Sequence, residues 1–404
     1  MLKEIADPRG KPSEASDLPR SVLYSISARI GGSGLDTDCF ESLRGLHRAK
    51  ILGRAVAYAN RQSEIPSSLI QSLRGHPARI FLSFLPREYF YGAKKHYLDR
   101  VACKDISTGR YDLFHAWSGE CVRTLREARR RNIPSVLEIP TWHRNKGKQK
   151  PARTKSEVER DDEERLSQRW LNSFLVSRQQ ALEEYELADL LLVLSQRARE
   201  TFLAAGIPES KLFDLPRGVD PERFTPGTPP EIFRAVFVGA LIKRKGVHTL
   251  LEVWDRLKLK DAELVLVGAV HDEIKPYLKQ FAKENVRLAG FTMETQEHYR
   301  RASVHVFPST CEGSAKVTYE AAACGLPQIS TRESGDVVID GVNGLVVPCE
   351  DPDALAAAIE RLYRNPDLRA AMGAAARKRI VENLTWDHFR ARLLDAYRAV
   401  WKSK

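Results

Sequence analysis

Two glutamates, Glu312 and Glu320, stand eight positions apart in a segment whose composition predicts a strand and then a helix. Residues 304–307 are apolar enough for the strand, and the alanines at 321–323 favour the helix. At about 1.5 Å per helical residue the two carboxylates are roughly 12 Å apart, so they can contact opposite ends of one extended ligand. Between the two acids lie the first free N–H groups of the helix, which would face an anion. A sugar, a diphosphate and a ribose in line fit this arrangement, so a nucleotide sugar is the first ligand we expect.

Two glycine-containing turns follow predicted strands and could approach such a ligand closely. Gly31 and Gly32 follow the first strand of the chain, and Gly239 follows a strand near residue 238. Three consecutive cations, Lys243–Lys245, come after the second turn and would neutralise a diphosphate leaving group if they faced a cleft. Two plainer interpretations stay open: a tight strand-to-helix turn for the glycines, and a solvated loop for the cations.

A single histidine, His143, lies just beyond the strand predicted at 135–139. Open α/β sheets bind ligands at this end of their strands. A lone histidine is also commonly a surface or packing residue, so the position by itself leaves both interpretations open.

Length and composition describe an ordinary globular protein. The 404 residues are enough for two domains of about 150–200 residues each, and the hydrophobic content is 43%. No run approaches the ~18 apolar residues of a membrane span, and the first twenty residues lack an apolar signal core. We therefore expect a disordered lead-in at 1–20 and a cytoplasmic protein. The six cysteines have no metal-binding spacing, which favours free thiols.

The net charge of +11 includes a dense basic patch at 144–155. Such a patch attracts nucleic acid, phospholipid headgroups or a phosphorylated acceptor. Nucleic acid is the least favoured because no helix-turn-helix, zinc-finger or RNP-like run accompanies the patch. Together with the aromatic and basic run at 89–97, the patch suits a peripheral contact with an acidic membrane. A solvated loop and an ordinary surface helix are equally compatible with these two segments.

Short apolar runs alternate with helical stretches along the whole chain, which indicates βαβ units, parallel sheets and an α/β fold. The predicted strands are 21–27, 55–59, 79–85, 113–117, 135–139, 190–194, 234–238, 263–267, 286–288, 304–307, 328–330 and 344–347. One of the predicted helices spans 119–131. This many strands exceed one ordinary sheet, so two doubly wound domains are favoured over a single barrel, which strand counting alone does not exclude. The proline-rich segment 215–230 predicts the linker between them.

Several common catalytic motifs are missing from the sequence. It contains no G-x-S-x-G elbow, no H-E-x-x-H and no G-x-x-x-x-G-K-[ST] loop, which disfavours hydrolases and ATPases. It also lacks G-x-G-x-x-G, which disfavours a nicotinamide dehydrogenase. The one Asp-x-Asp triplet, Asp36–Asp38, is expected to lie far from the donor-side motifs, so we expect no metal at the donor site.

Taken together, these segments resemble family 4 of the retaining nucleotide-sugar glycosyltransferases (glycosyl transferases group 1), which have the GT-B fold. The resemblance is strongest from about Arg197 to Glu382. It is carried, in family order, by the linker at 216–226, the turn at 238–246, Gly290, the E-x7-E segment at 312–327 and the D-G-x-N-G turn at 340–344. Weaker matches in the first half are Gly31–Gly32, 112–115, 141–143 and 187–189.

The resemblance implies two Rossmann-like domains that face a central cleft. The N-terminal domain, 21–222, would bind the acceptor, and the C-terminal domain, 223–386, would bind the nucleotide-sugar donor. The last helix, at about 387–404, would pack back on the first domain.

The resemblance also implies a role for each site residue. Glu312 would bond hydroxyls of the donor sugar, Lys245 with Arg244 would clamp the diphosphate, and His143 would face the sugar across the cleft. The other implied donor contacts are Glu320 at the ribose, Gly290 and Phe291 at the base, Gly31 and Gly32 from the opposite domain, and Gly239, Ser314, Ala315, Lys316 and Val317 around the sugar and phosphates.

Three positions depart from the family pattern. Ala240 stands where the family usually has arginine, so either Arg244 supplies that charge from another position or the diphosphate is held more weakly. Arg217 replaces the usual linker asparagine and is expected to affect the hinge geometry. Lys316 replaces an apolar residue, and one hypothesis is that it bonds the donor sugar or the acceptor.

The function implied by the resemblance is retaining, metal-independent transfer of a sugar to a hydroxyl acceptor. The acceptor would be a glycan, a glycolipid or a small molecule, in envelope glycan, polysaccharide or glycolipid synthesis. No cofactor is expected beyond the nucleotide sugar, with UDP favoured over GDP as the nucleotide. The main alternative is a non-catalytic GT-B protein that binds nucleotide sugars or serves as a scaffold. It stays open because Ala240 lacks the positive charge that the family usually has at this position.

Overall fold

The computed structural model describes residues 17–32, 34–73, 84, 86–144 and 175–402. Three sequence expectations lie wholly or largely outside these residues: the lead-in before residue 17, the strand at 79–85 and the basic loop beyond Arg144. Within the described residues, no helix is long and apolar enough to cross a membrane.

The first half of the chain forms a seven-stranded parallel sheet in the order β3-β2-β1-β4-β5-β6-β7. Its strands are β1 (Val22–Ile30), β2 (Leu52–Asn60), β3 (Ile70–Ser72), β4 (Leu113–Trp117), β5 (Ser135–Ile139), β6 (Leu190–Val193) and β7 (Leu212–Asp214). The helices between them are α1 (Leu35–Arg48), α2 (Arg87–Ile106), α3 (Val122–Arg130), α4 (Arg178–Leu187) and α5 (Gln196–Leu203).

The second half forms a six-stranded parallel sheet in the order β10-β9-β8-β11-β12-β13. Its strands are β8 (Phe233–Val238), β9 (Ala262–Val267), β10 (Val286–Gly290), β11 (Val304–Phe307), β12 (Gln328–Thr331) and β13 (Gly344–Val347). The accompanying helices are α6 (Val247–Leu257), α7 (Lys275–Phe281), α8 (Thr295–Tyr299), α9 (Lys316–Ala323), α10 (Pro352–Arg364), α11 (Pro366–Asn383) and α12 (Trp386–Lys402).

Burial explains why these strands read as continuous apolar runs. Every residue of β4, β5 and β11 is buried, as expected for central strands that helices cover on both faces. The prediction of two doubly wound, Rossmann-like domains is confirmed, and the single barrel is excluded.

The strand orders also fix where a ligand can bind. In the first sheet the order reverses between β1 and β4, and in the second between β8 and β11. Parallel sheets bind ligands in the crevice outside the carboxyl ends of the two strands at such a reversal. The loops after β1 and β4, and after β8 and β11, are therefore the loops in which to look for a site.

Most predicted strands are present within a few residues of their expected bounds. Two strands of three residues, β3 and β7, were not predicted, because so short an edge strand carries too few side chains to form a pattern. The helix expected over 119–131 begins only at Val122. Gly119 has a φ of 88°, which the preceding turn requires and a helix does not allow.

The chain passes between the two halves at two neighbouring points. Val219 pairs with Thr385, and the Val219 N–H donates to the Leu384 carbonyl over 3.0 Å. Gly218 lies against Trp386 so closely that a Cβ there would come within 2.7 Å of the Trp386 Cα. Beyond this point α12 returns to the first half and packs on α1, β5 and β6.

Candidate active site

The loops that follow β8 and β11 lie against each other. Gly246 has a φ of 72°, and a Cβ there would lie 2.1 Å from the Pro308 carbonyl oxygen. Because glycine leaves this space empty, the Thr310 N–H can donate to the Arg244 carbonyl over 2.8 Å. The cation run after β8 is thereby held beside the loop that leads to the first glutamate.

The Glu312 carboxylate gathers the two cations that the sequence singled out. Its Oε1 lies 3.1 Å from Lys245 Nζ and 2.9 Å from an Arg244 guanidinium nitrogen, and it accepts from Ser309 Oγ over 3.2 Å. The Lys245 ammonium is also 5.0 Å from the centre of the Phe307 ring. We call Glu312, Arg244 and Lys245 the donor-loop cluster. It is partly exposed, with 16% of the Glu312 side chain and 48% of the Arg244 side chain in contact with solvent.

Helix α9 begins directly after this cluster. The Ala315 N–H donates to the Ser334 carbonyl and the Thr318 N–H to the Ala315 carbonyl. Among the described residues, no backbone carbonyl accepts from the N–H groups of Lys316 and Val317. These two groups are the part of the helix start that an anionic ligand could use.

Glu320 lies one turn from the end of α9 and is half-buried. Its Oε2 accepts hydrogen bonds from the Tyr299 hydroxyl over 3.1 Å and from Thr295 Oγ1 over 3.4 Å. Burial raises the pKa of the Glu320 carboxyl, and the Lys316 ammonium acts in the opposite direction. Tyr299 and Thr295 were not identified from the sequence.

Three glycines end three adjacent strands of the second sheet. The Gly239 N–H donates to the Val267 carbonyl, and the Gly268 N–H to the Gly290 carbonyl over 2.8 Å. A Cβ on Gly268 would lie 1.9 Å from the Gly239 oxygen, so only glycine fits there. Gly268 was not predicted, although its Val-Gly-Ala context repeats that of Gly239 and could have revealed it.

The surface beyond Gly290, at the carboxyl end of β10, is exposed to solvent. Gly290 has a φ of 73°, nothing lies within 4 Å of its Cβ position, and Phe291 is 73% exposed. A planar group could stack there without displacing protein atoms.

The glycine loop of the first domain reaches across to α9. Gly31 has a φ of 82°, and a Cβ on Gly32 would lie 2.2 Å from an Asp36 carboxylate oxygen, which leaves no room for a side chain. The Gly34 carbonyl accepts a hydrogen bond from Lys316 Nζ over 2.7 Å. The loop after β1 and the start of α9 are thus brought together, as the predicted cleft requires.

A second charge cluster, the interdomain cluster, was not predicted. Asp38 on α1 forms an ion pair with the Arg217 guanidinium, and its other oxygen lies 2.9 Å from Lys316 Nζ. Asp38 and Arg217 are both almost fully buried. The expectation that the Asp36–Asp38 triplet is remote from the donor-side motifs is wrong, because α1 packs at the contact between the two halves.

Arg217 also reaches the loop before α9. Its Nε donates to the Ser314 carbonyl over 3.0 Å, and its backbone N–H donates to the Tyr319 hydroxyl over 3.2 Å. The Tyr319 hydroxyl in turn bonds Ser314 Oγ over 2.9 Å. Ser314 is therefore buried and held by the linker, and its side chain is already occupied.

His143, which the resemblance implies would face the sugar across the cleft, lies among aromatic side chains. The ring is only 6% exposed and packs against Tyr185 and Phe202, with ring centres 5.1 and 4.9 Å away. Burial lowers the pKa of His143, so the neutral imidazole is favoured. The neighbouring backbone does approach the site, since a Cβ on Gly313 would lie 2.4 Å from the Pro140 oxygen.

Within the described residues, no group of three or more His, Cys, Asp or Glu side chains could hold an ion.

Comparison with known proteins adds the family. Residues 233–365 match the model of the family described as glycosyl transferases group 1. This region contains the donor-loop cluster, α9 and the three strand-end glycines.

Curated relatives are glycosyltransferases. The chain is 30% identical over 243 residues to a GDP-mannose-dependent alpha-(1-6)-phosphatidylinositol monomannoside mannosyltransferase of Mycolicibacterium smegmatis, which covers 52% of this chain and 62% of that protein. It is also 30% identical over 243 residues to a D-inositol 3-phosphate glycosyltransferase of Thermobifida fusca, covering 52% of this chain and 55% of that protein. The chain thus matches less than two thirds of the length of these relatives.

Solved structures establish the fold outside residues 233–365 as well. Sucrose-phosphate synthase of Thermosynechococcus elongatus superimposes with a TM-score of 0.70 at 18% identity, covering 95% of this chain and all of that one. HepE of Anabaena with UDP-glucose gives 0.64 at 16% identity, over 93% and 98% of the two chains. The predicted GT-B fold is confirmed.

Proposed function

We propose that this protein is a retaining glycosyltransferase that moves a sugar from a nucleotide-diphosphate donor to a hydroxyl acceptor. The observation that carries the proposal is the donor-loop cluster beside the start of α9, with Glu320 at the far end of the same helix. Cations, free N–H groups and a second carboxylate follow one another along a single edge, which suits a sugar, a diphosphate and a ribose in line.

Residues within 233–365 divide among the parts of the donor. Glu312 would bond sugar hydroxyls, Lys245 and Arg244 would hold the diphosphate, and the N–H groups of Lys316 and Val317 would face its oxygens. Glu320 would accept from the ribose hydroxyls. The base would lie at Gly290 and Phe291, where the surface is open.

The positions of the remaining expected donor contacts are compatible with their proposed roles. Gly239 lies beside Lys245, whose Cδ is 3.4 Å from the Gly239 Cβ position. Because glycine has no side chain, the lysine side chain can extend past it. Gly31 and Gly32 would close over the donor from the other domain. Ser314 and Ala315 are buried and would act through their backbone. The catalytic role expected for His143 stays a prediction, and its aromatic surroundings favour packing.

Chemistry at such a site requires positioning and charge stabilisation. We propose front-face displacement, in which the leaving phosphate oxygen accepts the acceptor's proton as the acceptor oxygen bonds the anomeric carbon. Lys245 and Arg244 stabilise the negative charge that develops on the diphosphate. Arg244 lies 2.9 Å from Glu312. This position supports the proposal that Arg244 supplies the positive charge that Ala240 does not carry. We therefore expect turnover to be unchanged in EDTA, and its loss there would refute metal independence.

The identity of the donor is open to a direct test. Stabilisation by nucleotides and nucleotide sugars in a thermal-shift screen, followed by transfer assays with the stabilising donors, would establish the nucleotide. We expect UDP-sugars to be preferred, whereas the mycobacterial relative is named for GDP-mannose. Nucleotide binding with neither transfer nor slow donor hydrolysis would favour the non-catalytic alternative. Failure to bind any nucleotide would refute both.

A peripheral membrane contact is part of the same proposal. Acidic liposomes should retain the protein at low salt and release it at high salt, because screening weakens attraction between surface charges. Equal retention by neutral liposomes would contradict an electrostatic contact.

A further inference from the structure

A lysine of the first domain is buried, and the described residues offer it no carboxylate partner. Lys94 on α2 is 7% exposed, and its ammonium lies 4.6 Å from the centre of the Tyr58 ring and 5.0 Å from that of Tyr91. Among the described residues, no carboxylate oxygen lies within 4.0 Å of this ammonium. A buried ammonium is costly unless it is paired, so its retention here points to a counter-ion that binds from outside.

Two further cations converge on a backbone position nearby. Gly119 follows β4 and has a φ of 88°. Lys95 Nζ lies 3.7 Å and an Arg144 guanidinium nitrogen 3.9 Å from its Cβ position. Because glycine leaves this space empty, a ligand oxygen beside Gly119 could contact both cations at once.

The neighbouring carboxylates are already held by the backbone. Glu120 Oε2 accepts from the Ser27 N–H over 2.9 Å, and Asp36 Oδ1 accepts from the Arg29 N–H over 3.1 Å. Glu184 also lies here, and its carboxylate accepts from the Gly119 and Cys121 N–H groups. Lys94, Lys95, Arg29 and Arg144 outnumber these three carboxylates. The surplus of positive charge favours an anion.

The location fits the acceptor. These residues surround the carboxyl ends of β1 and β4, where the strand order of the first sheet reverses. The loop after β1 continues to Gly34, whose carbonyl bonds Lys316 at the start of α9. A group bound here would lie across that loop from the donor.

We propose that Lys94, Lys95 and Arg144 bind a phosphoryl group of the acceptor and thereby direct its hydroxyl towards the donor sugar. This inference rests on the proposed function and adds to it the class of acceptor, a phosphomonoester or phosphodiester. The phosphoryl group would belong either to a soluble polyol phosphate or to a phospholipid headgroup.

The test is calorimetric titration of the full chain with glycerol 3-phosphate and with glycerol. We expect the phosphate to bind and glycerol not to bind. Each of Lys95→Met and Lys94→Met should weaken binding roughly tenfold, the usual effect of losing a hydrogen bond to a charged group. Lys95→Arg, which keeps the charge, should retain binding. Lys104→Met, on the exposed end of the same helix, is the matched control and should bind like the wild type.

Vesicles separate the two sources of phosphate. Retention on phosphatidylinositol vesicles but not on phosphatidylcholine vesicles, with loss in Lys95→Met, would identify a lipid headgroup. Binding of glycerol 3-phosphate without vesicle retention would identify a soluble phosphate. Equal binding by wild type and Lys95→Met, or no binding of either probe, would overturn the inference. A UDP or GDP titration of the same samples tests the proposed function separately, since nucleotide binding does not depend on Lys95.

The pH profile gives a second readout. Burial lowers the pKa of Lys94 to about 8, against the attraction of Glu120 and Asp36 and together with repulsion from Lys95 and Arg29. Glycerol 3-phosphate is already dianionic above pH 7. Its affinity should therefore fall as the pH rises through 8 in the wild type, and this fall should be absent from Lys94→Met. A flat wild-type profile would contradict a contact with Lys94.

Discussion

The donor-loop cluster and the interdomain cluster are built from the same kinds of residues, but they differ in burial and in the parts of the chain that they join. Each places one arginine and one lysine on a single carboxylate. Glu312, Arg244 and Lys245 belong to one domain and keep part of their surface in water. Asp38, Arg217 and Lys316 come from the first domain, the linker and the second domain, and the Asp38 side chain is only 3% exposed.

The difference shows that setting decides what a cluster of charges can do. A partly solvated cluster can exchange its partners for a ligand at modest cost, so it can bind and release a diphosphate. A buried cluster cannot lose one member without leaving an uncompensated charge. Arg217 and Lys316 are two of the three departures from the family pattern, and they meet on the same carboxylate. The two departures are therefore one interdomain contact.

The largest expected effect is in the buried cluster. Asp38→Asn leaves the buried Arg217 cation and the partly buried Lys316 ammonium, whose side chain is 22% exposed, without their counter-charge. It should lower the free energy of unfolding by about 3–5 kcal/mol. Urea unfolding measures this. The control is Asp387→Asn, whose side chain is 83% exposed in its pair with Arg390, and which should cost about 0–1 kcal/mol. Similar losses in the two variants would remove the distinction between the clusters.

The donor-loop cluster should respond in activity, with its stability nearly unchanged. Lys245→Met removes a positive charge from the leaving diphosphate and should reduce turnover by roughly 100- to 1,000-fold. Transfer assays with saturating acceptor measure it. Lys243→Met changes the neighbouring cation, which lies over the Tyr277 ring, and should stay near wild-type activity. Wild-type turnover in Lys245→Met would mean that the site assignment is wrong.

Replacing all three members of the buried cluster sharpens the comparison. Asp38→Leu, Arg217→Met and Lys316→Met together remove all three charges of the cluster and should restore the free energy of unfolding to within about 1–2 kcal/mol of the wild type. Turnover should remain reduced, because Arg217 no longer holds the Ser314 loop. If the triple variant is less stable than Asp38→Asn alone, the charges stabilise the contact outright and our account of it fails.

The smallest expected effect is the pH dependence of donor binding through Glu320. Its carboxyl must be ionised to accept from both ribose hydroxyls, and burial raises its pKa. On acidification, donor affinity should therefore weaken at a higher pH than an ordinary glutamate would give, by up to about tenfold. Glu320→Gln should bind more weakly but with a flat profile between pH 4 and 8. The exposed Glu297→Gln on α8 should retain the wild-type profile, and a pH-independent wild type would contradict the ribose assignment.

Residues close in sequence were predictable, and residues that meet across the fold were not. The Glu312–Glu320 spacing, the cations after β8 and the helix between the two acids all follow from local pattern. The packing of His143 against Tyr185 and Phe202 could not be predicted, because its position after β5 says nothing of the helices that bring those rings around it. Asp38 was dismissed for its distance along the chain, a measure that folding makes irrelevant.

By itself, the sequence determined the α/β class, the two doubly wound sheets and the order of the donor-side motifs. It could do so because hydrophobic period, glycine positions and charge spacing act over a few residues. Only the tertiary structure decided that Glu312 gathers Arg244 and Lys245 while Asp38 gathers Arg217 and Lys316. The partners in each cluster are 67 or more residues apart, or belong to different domains, and burial sets the value of each charge. The sequence sets where the charged residues occur along the chain, and packing determines which of them stay exposed enough to bind a ligand.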